Sequence, residues 1–323
     1  MDRIARIREM FHASGLGLEI GPSFNPIVPK SEGFNVEILD YADKDGLLKK
    51  YSGSDVDISA IESVDYVSDG RSMLEVIGQK ARYDYIVASH VIEHAPDLAG
   101  FVSDCAELLK PDGVLVLAVP DKRFCFDALR PLSSLGQVLQ AYAENRTRHA
   151  LSSVFDHQSL FCKRSGVVGW GKSDTGTISF EYDLAYAKKM FDNAAVSGGY
   201  VDVHGWVFTP SSFRYIMKGL HDLRLIPLRE GDFQESEYFE FFLTFGRDCG
   251  GCSVSYLELA ERTTAELRSI HVRDQEGETP EIEILQRENV RLHRKIAHLK
   301  KYRDRRLKAR LSRLYSRFGL DRS

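Results

Sequence analysis

Apolar and polar positions along the chain follow two periods, and the clearest passage between them lies in its first half. Residues 83–88 are a short apolar run with aromatic and β-branched members, the pattern of a strand buried on both faces. Residues 89–97 then turn the chain, with Pro96 biasing Ala95 away from helix. Leu98, Phe101, Val102, Cys105, Leu108 and Leu109 recur at helical spacing, and Lys110, Pro111, Asp112 and Gly113 close the helix. Residues 114–119 form a second apolar strand, ended by Pro120. Strand, helix and strand with short links predict a right-handed crossover, hence a parallel sheet with ligand loops at the strands' C-terminal ends.

The same reading places strands at residues 16–21, 36–40 and 64–67, and an amphipathic N-terminal helix with Ile4, Ile7, Met10 and Phe11 on one side. Pro26, Pro29 and Gly33 leave room only for a loop or single turn after the first strand. Residues 121–205 separate the strand at 114–119 from the next recognisable element. They hold helical stretches near 132–149 and 183–195, with a Gly- and Ser-rich piece containing Trp170 between them. Thr209 followed by Pro210 predicts a helix start, and residues 225–228 and 238–245 can form an antiparallel strand pair. Beyond a linker at 277–280, Ile282, Asn289 and Ile296 occupy heptad position a, with Leu285, Leu292 and Leu299 at d. That pattern predicts a parallel two-stranded coiled coil whose register Asn289 fixes. Residues 303–318 put Leu307, Leu311, Leu314 and Phe318 on one face and basic residues elsewhere, which suits either a solvated helix or docking on an anionic membrane surface.

Charge divides the 323 residues unevenly. Residues 286–323 carry 14 Lys/Arg against 3 Asp/Glu, and the rest of the chain 29 against 44. An acidic body argues against nucleic acid as its ligand. No run approaches a membrane span, and Met1 to His12 lacks the apolar centre of a signal peptide. Five cysteines without a secretion signal predict reduced thiols and a cytoplasmic location, with the basic tail as a peripheral contact to the inner face of the membrane. Cys249 and Cys252, as Cys-Gly-Gly-Cys, read as a structural loop or as a thiol site.

Residues 89–97 (Ser-His-Val-Ile-Glu-His-Ala-Pro-Asp), followed by Leu-Leu-Lys-Pro-Asp-Gly at 108–113 and an apolar strand, resemble the fourth- and fifth-strand region of class I S-adenosylmethionine-dependent methyltransferases, of methyltransferase type 11 kind. The resemblance covers residues 16–120 well and 207–247 in pattern. It implies an α/β, Rossmann-like, seven-stranded, mostly parallel sheet with a lid insertion, plus the C-terminal coiled-coil helix. The expected division is a methyltransferase domain at 1–250 with its lid at 121–205, a helical linker at 251–280, and the coiled coil and basic helix at 281–323.

In that family the first strand ends in an acidic residue followed by a glycine-rich loop. Glu19 and Gly21 match, whereas Ser23 and Asn25 stand where glycine is expected. Asp40 follows Glu19 at the offset that sets a carboxylate on ribose hydroxyls, unless it simply ends an exposed strand. The resemblance gives Asp69 the adenine amino group, against the plainer reading of Asp69-Gly70 as a turn. Gly70, Ser89 and His90 complete the expected S-adenosylmethionine site. An oxygen acceptor needs a base of suitable intrinsic pKa, and His94 and His204 are the candidates, each against a plain packing role. His90, Glu93 and His94 also spell H-x-x-E-H, a zinc peptidase signature. That motif must lie within a helix for both imidazoles to reach one metal, so no metal site is expected here.

The function expected is methyl transfer to a small-molecule or glycan acceptor, by resemblance to bacterial glycan-cluster methyltransferases of cell-surface polysaccharide synthesis, in a homodimer paired through the tail. The alternative is a catalytically weak methyltransferase-like adaptor that recruits partners through its coiled coil.

Overall fold

The computed structural model describes residues 3–54 and 56–270; the coiled coil expected at 282–302 and the basic helix at 303–318 lie outside them. Nine strands and nine α-helices lie in the described residues. β1 (Gly17–Ile20), β2 (Val36–Asp40), β3 (Tyr66–Val67), β4 (Tyr83–Ser89) and β5 (Leu109–Pro120) are parallel, in the order β3-β2-β1-β4-β5. β9 (Glu240–Gly246) runs antiparallel to β5, and β8 (Arg229–Glu237) closes the edge. β6 (Cys162–Arg164) and β7 (Ile178–Phe180) form a separate two-stranded sheet.

The central strands are apolar throughout because both their faces are covered. Ile86 and Ala88 of β4 join Leu115, Leu117 and Val119 of β5 on one face. There α4 (Leu98–Leu108), α5 (Leu135–Ala143) and α8 (Pro210–Asp222) bring Val102, Val138, Phe213 and Leu220. Tyr85 and Val87, with Val116 and Ala118, face the other way, against Ile7, Phe11, Ile27, Val28 and Phe242. That second face is covered by α1 (Arg3–Arg8) and the loop after β1 instead of a crossover helix. A single 3₁₀ turn, Lys30–Glu32, occupies the loop, as the prolines require. Gly17 is needed where Tyr85 crosses β1, since a Cβ there would lie 2.1 Å from the ring.

Between β2 and β4 lie α2 (Lys44–Tyr51) and α3 (Met73–Ile77). α6 (Leu151–Ser159) and α7 (Leu184–Ser197) pack on each other through Val154 and Ala194, with Val203 closing the cluster. α9 (Tyr256–Arg268) is tied to α8, with Glu266 accepting from the Ser211 hydroxyl and Tyr256 donating to Asp222.

Several boundaries differ from the pattern. The helical stretch expected over 132–149 holds only α5, which stops where Asn145 takes a left-handed conformation (φ 49°), and α6 is a separate helix beyond that stretch. Residues 225–228 do not pair: Pro227 has no N–H to give a ladder, and Ile226 and Leu228 are buried against the main core before β8 begins. Tyr238 (φ 56°) belongs to the β8–β9 turn. Leu109 to Gly113, read as a turn, are the irregular start of β5, with a register shift between Tyr83 and Tyr85.

Candidate active site

In an open parallel sheet, ligands bind beyond the strands' C-terminal ends where the strand order reverses, here between β1 and β4. Two residues of the loop after β1, Gly21 and Ser23, shape that crevice. Gly21 takes φ 62°, and a Cβ on it would sit 3.0 Å from Val91 just past β4. Ser23, at φ 47°, turns its N–H onto Asp40 Oδ2 at 2.9 Å. Asp40, buried at the end of β2, also accepts the Tyr41 N–H on Oδ1. The Ser23 hydroxyl lies 3.5 Å from Oδ2, and these three donors still leave part of a carboxylate's four acceptor positions open, which suits a ribose diol. Burial pushes its pKa up.

Glu19, in β1, is also tied to the loop. Its carboxylate accepts from the Ile27 and Val28 amides and is 2% exposed, so it holds the loop's far end. Burial pushes its pKa up to about 7 against those two amides. Asp69 is exposed and forms an ion pair with Arg71, and Gly70 beside it takes φ 92°. Ser89 Oγ accepts from Arg3.

Beyond β4 the chain makes the 3₁₀ turn Ile92–His94, not the α-helix a zinc peptidase motif requires. His90 adopts φ 55° and sends Nε2 2.9 Å from Glu240 Oε2 on β9, which Arg3 grips from the other side. Burial opposes a charge on His90, but Glu240 and Glu93 outweigh it and raise its pKa to about 9. Glu93 is fully buried, and neither carboxylate oxygen has a hydrogen-bond partner. Its Oε1 lies 3.5 Å from His90 Nδ1, 3.8 Å from His204 Nε2 and 4.0 Å from His94 Nε2. Burial works against its charge, and the three imidazoles still hold its pKa below the ordinary value.

Both predicted histidines belong to this cluster, their rings 4.7 Å apart. The 203–206 segment is pinned there by its backbone, since the Glu93 carbonyl accepts from the Gly205 and Trp206 amides. Trp206 Nε1 donates to the Ala95 carbonyl at 2.5 Å. His204 Nδ1 lies 2.5 Å from Asp127 Oδ2, and Arg130 donates to the same carboxylate's Oδ1 at 2.7 Å. Burial would raise the Asp127 pKa, but His204 and Arg130 hold it well below the usual carboxylate range. An Asp at Nδ1 favours the tautomer with the proton there and leaves the Nε2 lone pair turned toward Glu93 and His94. His94 Nδ1 is 2.9 Å from Asp202 Oδ1. Burial opposes the His94 charge, and the Asp202 and Glu93 carboxylates raise its pKa nonetheless.

One ligand atom each from Glu93, His94 and His204 lie within 4.8 Å of one another, so these three could hold a cation. Asp127, Asp202 and Glu240 carry no sequence signal of their own. Glu93 does, as the acidic member of the motif that holds His90 and His94. Cys249 and Cys252 are both free thiols remote from this cluster, with burial pushing their pKa values up.

Residues 7–164 match a family described as a methyltransferase domain. That match takes in just under half of the chain's 323 residues. Over 52 residues it is 40% identical to a ubiquinone biosynthesis O-methyltransferase of Rhodopseudomonas palustris (strain TIE-1), covering 16% of this chain and 21% of that protein. Over 131 residues it is 25% identical to a protein of the same name from Bradyrhizobium sp. (strain ORS 278), covering 38% of this chain and 51% of the other. The chain thus spans a fifth to a half of the length of these relatives. The crystal structure of an S-adenosylmethionine-dependent methyltransferase from Mesorhizobium loti aligns with 75% of this chain and 95% of its own, at 11% identity and a TM-score of 0.38. The β3-β2-β1-β4-β5-β9-β8 order of the sheet, with one antiparallel strand inserted next to the edge, makes a Rossmann-like frame. Among the described residues no helix is long and apolar enough to cross a membrane.

Proposed function

We propose that the chain transfers the methyl group of S-adenosylmethionine to a hydroxyl of a small-molecule or glycan acceptor. The observation that carries the reading is the Asp127–His204 pair at 2.5 Å, which presents a base beyond the C-terminal ends of β4 and β5. The methyltransferase-domain match and the O-methyltransferase relatives support it. S-adenosylmethionine supplies a methyl group on a sulfonium, an electrophile open to direct displacement. Asp40 would hold the ribose, and the Gly21–Ser23 loop would let the backbone pass close to the methionine end. His204 Nε2 would take the hydroxyl proton while Asp127 steadies the imidazolium. His94 and Tyr200 bound the acceptor side, Tyr200 Oη donating to the His94 carbonyl at 3.2 Å.

A second reading of the same cluster rests on the unpartnered Glu93 carboxylate. A divalent cation held by Glu93, His94 and His204 would bind the acceptor hydroxyl and lower its pKa in place of a base. The wider reading keeps a domain at 1–250 with its lid at 121–205, a linker at 251–280, and a tail at 281–323. That tail would pair two copies and touch the inner face of the membrane, on the strength of its heptads and basic charge. A glycan-cluster acceptor rests on the sequence resemblance.

Transfer of labelled methyl from S-adenosylmethionine to phenolic and sugar hydroxyls tests the assignment. His204→Ala should cut the rate by roughly 10²–10⁴-fold with cofactor affinity unchanged. Activity that survives a chelator supports the base, and activity lost to it and restored by added divalent cation supports the second reading. A protein that binds the cofactor but labels no acceptor is the adaptor.

A further inference from the structure

The lid holds a cavity of about 370 Å³ that none of the residues above explains. Arg146, Thr147, Arg148 and His149 give it a polar wall, and Val154 and Val201 an apolar one. Helix α6 starts at this wall, and its N-cap is Ala150, whose side chain cannot accept a hydrogen bond. The first-turn amides of Leu151, Ser152 and Ser153 meet no acceptor among the described residues. Open amides at a helix N-terminus favour an anion.

Three side chains add to that. Arg148 gives Nη1 to the Gly198 carbonyl at 2.9 Å and has no carboxylate in ion-pair range among the described residues. Arg146 is paired with Glu144 at the cavity rim, an exposed carboxylate that a bound anion can displace. His149 is 8% exposed, and its Nε2 has no hydrogen-bond partner. The wall reaches the reaction cluster directly: the His149 ring lies 5.3 Å from that of Tyr200, whose hydroxyl is bonded to the His94 carbonyl.

We propose that this cavity binds an oxyanion of the acceptor, a phosphate or carboxylate, so that the methylated molecule is anionic and is anchored by Arg148, Arg146 and the N-terminus of α6. The inference rests on the methyl-transfer reading for what the anion belongs to. A forked guanidinium beside open amides suits either oxyanion. The apolar wall then takes the group that carries it.

Calorimetric titration of the full chain with inorganic phosphate, pyrophosphate and malonate tests this, with S-adenosylmethionine titrated in parallel. At least one oxyanion should bind, the better probe telling phosphate from carboxylate. Arg148→Ala should weaken it tenfold or more and Arg148→Lys less, each with cofactor affinity retained as the measure of folding. No oxyanion binding at millimolar concentration, or equal binding by Arg148→Ala, overturns the inference. Cofactor binding without oxyanion binding removes this inference alone. Oxyanion binding without cofactor binding keeps the cavity's chemistry and removes the methyl-transfer reading.

Discussion

His90 should make the fold's stability depend on pH in a window where few other groups titrate. It sits between the Glu240 and Glu93 carboxylates, with its pKa raised from 6.5 to about 9. A raised folded-state pKa means the native state holds the proton more tightly than the unfolded chain does. The stabilisation is therefore complete below pH 6.5 and is lost as pH rises through 9. The full shift corresponds to ~3 kcal/mol, an upper value because the imidazole is 28% exposed and partly screened. About 2 kcal/mol of it should disappear between pH 7 and 9. Urea unfolding followed by circular dichroism at pH 7, 8 and 9 measures this as a falling midpoint at constant slope. His90→Asn keeps a residue that tolerates φ 55° and removes the titration. The variant should be less stable at pH 7, since two buried carboxylates lose one of their cationic neighbours, and should fall much less from 7 to 9, with only the share of His94 left. Equal pH dependence in both proteins would show that another group titrates.

Three further outcomes follow from the packing and the tail. Gly205→Ala would place a Cβ 2.4 Å from His149 Nδ1 in a segment whose backbone is tied to Glu93. It should cost about 1–3 kcal/mol, and an unchanged melting temperature would contradict the packing. Phe213, fully buried on α8 against Phe208 and Phe241, should cost about 3–5 kcal/mol on truncation to Ala, read by denaturant unfolding. The heptads at 282–302 predict a dimeric full-length chain and a monomeric 1–275 truncation on sedimentation, and a full-length monomer removes the pairing.

The sheet was legible because its central strands are buried on both faces, which leaves unbroken apolar runs such as 83–88. Asp40 and the turn after β4 were legible for a related reason, since chemistry at strand ends sits at fixed offsets from those runs. The lid was less so. α6 begins without a capping side chain, and residues 144–150 separate it from α5. Asp127 and Asp202 could not be read from spacing. Asp127 meets His204 across 77 residues, and Asp202 meets His94 across more than 100, so only the folded chain brings them together. His90 and Glu19 show the converse: each stands where the motif places it, yet its side chain is taken by neighbours, Glu240 and Glu93 for the one and two loop amides for the other.

The measurement closest to the central claim is calorimetric binding of S-adenosylmethionine to the full chain and to Asp40→Ala. Asp40 lies buried at the end of β2, its carboxylate held by two amides and, at 3.5 Å, by the Ser23 hydroxyl. Loss of hydrogen bonds to a charged group predicts weaker binding by about 1.5–3 kcal/mol, roughly 10- to 150-fold. Saturable binding to the wild type, weakened by that amount in the variant, is the predicted result. Absence of any binding to the wild-type chain would contradict the account.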